Sequence, residues 1–236
     1  MTGSAPSAGR ARPTSRPTKT ESRRPPLGLL VFVTGLASLG AEIAAARLLA
    51  PFFGASTIVW ANTIGVVLLA LSVGYWLGGR LADRHPHLRG LCLLVLAAAA
   101  LLALVPLVAR PFLDLSVRAF DEISIGAFAG SLFGVLALVA VPVLLLGAVA
   151  PWALRLELGD VATTGETAGR LYAISTVGSL FGTFLSALLL IPLAGTQRTF
   201  LLLAAALATV AAFGLDRRFA VAPVAIAALL LVPVGT

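Results

Sequence analysis

LASLGAEIAAARLLAPFFGASTIVWANTIGVVLLALSVGYWLGGRLADR, Leu36–Arg84, is the stretch whose reading decides the fold. It holds two long apolar segments joined by a short turn at Pro51–Ser56 and closed by a basic loop. A bilayer core about 30 Å thick asks for roughly 20 apolar residues per helix, and each segment meets that length without the alternation of a barrel strand. The stretch therefore predicts a transmembrane helical hairpin. Glu42 and Arg47 sit in its first arm, Trp60 and Asn62 in its second. An ionisable group in hydrocarbon is costly unless it is paired or wetted, so Glu42 is a candidate functional residue.

The rest of the chain repeats this pattern. Of 236 residues, 59% are hydrophobic and only 11% charged, with a mean hydropathy of +1.02. A soluble domain carries about 25% charged residues, so this chain has too few to cover a surface in water. The fold class is all-α: a polytopic transmembrane helix bundle of about seven helices, near 27–49, 57–79, 90–109, 125–150, 171–193, 199–215 and 219–235. Pro223 and Pro233 make the last the weakest. Residues 1–26, rich in Pro, Ser, Thr and Arg, bury too little to order themselves and read as a basic cytoplasmic tail. Arg23-Arg24 before an apolar run invites a signal-peptide reading, but that run is too long and contains Glu42.

The net charge of +7 follows topology rather than nucleic-acid binding. With the tail inside, the inner segments hold six basic residues in the tail, three at Arg80, Arg84 and Arg89, two at Arg155 and Arg170, and two at Arg217–Arg218. The outer loops hold three, Arg110, Arg118 and Arg198. This asymmetry places a multi-pass protein in a cell membrane with its N-terminus cytoplasmic, and the bilayer is its first partner. Seven spans would then leave Thr236 outside, unless the last segment fails to cross.

Small residues mark close helix approach. Gly126, Gly130 and Gly134 repeat every four positions, as do Gly178 and Gly182, while Gly74 and Gly78 close the second segment. Packing within one bundle is the plain reading of these stripes, and a homo-oligomer face the sharper one. Pro106, Pro142 and Pro192 are candidate kinks. Cys92 stands alone in an apolar run and reads as a packing residue.

Depth arithmetic ranks the polar groups. Glu42 lies ~22 Å and Arg47 ~30 Å along the first helix, while Asn62 is ~8 Å into the second from the other side. Glu42 and Arg47, about 140° apart around the helix, are poorly placed to pair. Asn62, level with Glu42, is the expected partner. Such a cluster is suited to bind a cation, relay a proton or only lock two helices. Tyr172, Ser175, Thr176, Ser179 and Thr183 form a hydroxyl stripe that bonds its own backbone, a neighbouring helix, or lines a cavity. In the loops, Arg80, Asp83, Arg84 and Arg170 are candidates for tying helix ends together or gating. His85 and His87 flank Pro86, a pair too small for a metal site. No strand–glycine turn–helix unit, P-loop, catalytic triad or zinc spacing occurs, so neither a cofactor nor a catalytic residue is expected in this chain.

Three stretches together resemble the membrane half of spermidine synthase-like proteins: EIAAARLLAPFFGASTIVWANTIGVVLLALSVGYWLGGRLADR (Glu42–Arg84), GAVAP (Gly147–Pro151) and TGETAGRLYAISTVGSLFGTFLSALLLIPLAGT (Thr164–Thr196). In that family a multi-helix region, related to the major facilitator superfamily, precedes a soluble aminopropyltransferase-like domain. The resemblance implies a link to polyamines, with an aminopropyl group passed from decarboxylated S-adenosylmethionine to putrescine. That reaction belongs to the soluble domain, expected in the same reading frame or as a separate subunit. Here the membrane region would anchor it or handle a polyamine-type substrate, with Glu42 attracting the cation. Gly79–Arg84 is also similar to the loop motif after the second helix of major facilitator transporters, although Pro86 and Leu88 depart from it. The alternative is accordingly a transporter of a small cation or metabolite.

Overall fold

The computed structural model of the chain describes residues 27–120, 126–158, 164–215, 219 and 221–231. The basic tail, with Arg217 and Arg218, lies outside them. The described residues are all-α, without a strand. Seven helical stretches follow in order: α1 Leu27–Phe53, α2 Thr57–Arg84, α3 Leu88–Phe120, α4 Gly126–Glu157, α5 Thr164–Ala194, α6 Thr196–Phe213 and α7 Val221–Ala228.

Most helices outrun the apolar segments read from the sequence. Bilayer and interfaces together span about 40–45 Å, and backbone groups near hydrocarbon are best satisfied by continuing the helix. Thus α3 runs on beyond Arg110, and α5 begins at Thr164 rather than 171. Pro51 belongs to the last turn of α1, so the hairpin turn is shorter than expected. It is made at Gly54, whose φ of 79° suits glycine, and at Ser56, whose hydroxyl accepts the Val59 N–H at 3.4 Å. Among the described residues six helices are long and apolar enough to cross a membrane. The eight residues of α7 rise about 12 Å. The chain is a membrane protein by this architecture.

The helix at the centre is α1. It packs lengthwise on α5 and α6 and also touches α2, α3 and α4. The remaining large contacts pair α2 with α4 and α3 with both α4 and α6. Small residues set the spacing. A methyl added at Gly178 would strike the Phe32 carbonyl, and one at Gly182 the Leu36 carbonyl, so α5 lies backbone-to-backbone on α1. Gly74 and Gly78 give α2 the same intimacy with α4 at Leu144 and Ala148. Gly130 and Gly134 receive Phe53 and Leu49 of α1. All three stripes are used inside one chain.

Two of the three expected kinks appear as wider turns. A π-helical turn at Leu136–Ala140 stands just before Pro142, and another at Leu185–Leu190 just before Pro192. A proline ring clashes with the carbonyl four residues back and offers it no N–H. Widening the turn relieves both problems. Helix α3 instead continues through Pro106 and Pro111. Cys92 is fully buried in the core, as its apolar setting suggests.

Candidate functional site

Asn62 is buried, but its partner is not Glu42. Its side-chain amide donates to the Phe128 carbonyl at 2.9 Å and to the Ser131 hydroxyl at 2.8 Å, both on α4. Ser131 in turn donates to the same carbonyl at 3.2 Å. The face of α2 that carries Asn62 meets α4 rather than α1. Glu42 is half-buried, with no ion pair to any described residue. One turn before it on the same face of α1, the Ser38 hydroxyl is buried without a hydrogen-bond partner. Ser38 borders a crevice of about 50 Å³ shared with Tyr75, Ser175 and Ser179, a size and polarity that suit a water molecule.

The hydroxyl stripe of α5 divides in two. Ser175 and Ser179 face α1, and Ser179 donates to the Gly35 carbonyl at 3.2 Å, a bond between helices. Thr176 bonds back to the Tyr172 carbonyl at 2.9 Å, and Thr183 to that of Ser179 at 3.0 Å. Both are the local back-bonding that such residues make in helices. Tyr172 and Thr176 are exposed on the flank of α5. The stripe therefore lines no common cavity.

The loop candidates meet at the end of the bundle where α1 begins. Arg155, near the end of α4, pairs with Asp83 of α2 at 3.1 Å. Two residues on, Glu157 pairs with Arg170 of α5. The end of α4 thus ties both neighbours, although the tie is largely exposed and adds little stability. Arg80 stacks over Trp76, 4.5 Å from the ring centroid, a cation–π contact. Arg84 is exposed. No group of three His, Cys, Asp or Glu among the described residues is placed to hold a metal ion.

A sizeable cavity lies at the opposite end. It encloses about 650 Å³, within the range of small-molecule sites, and is lined by Arg47 of α1, Arg110 and Asp114 of α3, and the α5–α6 junction with Arg198. Leu48, Pro51 and Phe52 supply its apolar wall. Gly195, at φ 84°, turns α5 directly into α6. No side chain caps the start of α6, whose first residues Thr196, Gln197 and Arg198 border this cavity.

Comparison with protein-family models, curated proteins and solved structures finds no match to this chain.

Arg47 was singled out in the sequence for its depth, but Arg110 and Arg198 counted only as topology signals, and Asp114 and the α6 start drew no attention. Alternation of the helices puts all of these at one side of the membrane. Nothing in the one-dimensional pattern says that α1, α3 and α6 are lateral neighbours there.

Proposed function

We propose that the chain is the membrane-embedded region of a spermidine synthase-like protein, seated in the cell membrane with its N-terminus cytoplasmic. In this reading it anchors an aminopropyltransferase-like domain or subunit. One observation carries it. The stretches that resemble that family supply the glycines of the closest helix contacts, with Gly74 and Gly78 meeting the Gly147 region and Gly178 and Gly182 meeting α1. The resemblance therefore falls on the packing framework, which favours anchoring over substrate handling. Asn62 and Ser179 point the same way, since both spend their hydrogen bonds on neighbouring helices.

Two experiments test the reading. The aminopropyltransferase-like protein encoded with the chain, in frame or beside it, is expected to fractionate with membranes only when the chain is present. If it stays soluble with or without the chain, the anchoring reading falls. Handling of a polyamine through Glu42 is tested with radiolabelled spermidine on reconstituted vesicles. Equal binding by wild type and Glu42→Gln would remove Glu42 from any site.

A major facilitator-like transporter is the second reading, supported by the cavity of about 650 Å³ at one end of the bundle. The six spans among the described residues are half the usual number for that superfamily, so a homo-oligomer would complete the pathway. Solute uptake by vesicles holding this chain alone would favour it.

A further inference from the structure

The charge of the large cavity does not suit a polyamine. Three guanidinium groups, Arg47, Arg110 and Arg198, line it with one carboxylate, Asp114. None of the three arginines forms an ion pair with a described residue. The arginines thus converge from three helices on one space with their donors uncommitted. Guanidinium groups are planar five-donor forks matched to phosphate and carboxylate oxygens. The uncapped start of the 18-residue α6 borders the same space and adds a partial positive charge to it.

We propose that this cavity is a binding site for a phosphate monoester. Three arginines against one aspartate leave two positive charges, which match a phosphate dianion. The volume exceeds that of a bare phosphate, and Leu48, Pro51 and Phe52 offer a wall to an apolar substituent. Arg47, ~30 Å along α1, sits at headgroup level. The same phosphate can therefore arrive on a soluble metabolite or on a lipid such as phosphatidic acid. The site is independent of what the chain anchors.

The test uses the full chain in phosphatidylcholine nanodiscs. Glycerol 3-phosphate is titrated by calorimetry, and phosphatidic acid retention is read by native mass spectrometry against phosphatidylcholine. Arg110→Gln and Arg198→Gln should each weaken binding about tenfold, as loss of a charge-assisted hydrogen bond does. Asp114→Asn should tighten it, and Arg84→Gln, at the far end, should leave it unchanged. Binding of glycerol 3-phosphate supports the proposal with a soluble ligand. Retention of phosphatidic acid alone supports it with a lipid headgroup. Binding of neither overturns it, as does an equal loss in Arg84→Gln or a loss in Asp114→Asn. If an arginine variant fails to fold, salt dependence of the wild type replaces it, and binding that raised salt leaves unchanged counts against the site.

Discussion

The two ends of the bundle carry similar residues and use them in opposite ways. At the end where α1 begins, each of three arginines has a partner: Arg155 has Asp83, Arg170 has Glu157, and Arg80 has the face of Trp76. Helices α2, α4 and α5 meet there with glycines between α2 and α4, so their charged tips fall within reach of one another. At the other end Arg47, Arg110 and Arg198 stand around a cavity without an ion pair to a described residue. An arginine count alone marks both ends as basic. What distinguishes them is that Asp83 and Glu157 lie within ion-pair distance of arginines on neighbouring helices at the first end, whereas Asp114 at the second lines the same space as the arginines without pairing with one.

The contrast is broken most severely by forcing apart the helices beneath the paired end. Gly78→Leu puts a side chain where the Ala148 backbone lies. Overpacking of that kind costs about 1–3 kcal/mol or more, and a large drop in the detergent melting temperature, with loss of a monodisperse peak, is expected. Gly169→Leu is the matched control, because nothing stands near that glycine. A smaller effect belongs to Asn62, whose bonds to Phe128 and Ser131 join α2 to α4 towards the cavity end. Asn62→Ala should cost about 1 kcal/mol, the usual worth of interhelical hydrogen bonds in membranes, measured by unfolding in mixed micelles. Smaller still is Asp83→Asn at the paired end. The pair is 45% and 72% exposed on its two sides, so its loss should cost under about 1 kcal/mol. Smallest is Arg47→Gln at the cavity end, which removes no ion pair and should leave the melting temperature unchanged. A fall there as large as that of Asn62→Ala would show that the open end is held by charges after all.

A second pair of regions sharpens the point about packing. Helices α1 and α5 are about equally apolar, yet 61% of the apolar stretch of α1 is buried inside the molecule against 17% for α5. Helix α5 spends one face on α1 through Gly178 and Gly182, and turns Val177, Leu180, Phe181 and Phe184 outward. Lipid is as apolar as leucine, so hydropathy carries no mark that separates a central helix from a peripheral one.

Much of the fold was legible in the residues themselves. Apolar runs of bilayer length determine an all-α membrane protein, because hydrocarbon offers the backbone no partner and a helix satisfies itself. Spacings of four between small residues determine which helix faces meet closely, and the wider turns before Pro142 and Pro192 follow from the proline ring. Helix ends were less legible, because apolarity stops at the hydrocarbon edge while α2, α3 and α5 continue into the interface.

Lateral placement belongs to the tertiary structure alone. Counting residues along the helices pairs Asn62 with Glu42 in depth, but the face of α2 that carries Asn62 is turned to α4. Arg47, Arg110 and Arg198 are separated by most of the chain and become neighbours only because α1 packs against both α3 and α6. Depth follows from counting residues along a helix. Adjacency depends on rotation and on the choice of neighbour, which close packing of small residues decides among faces of nearly equal hydropathy.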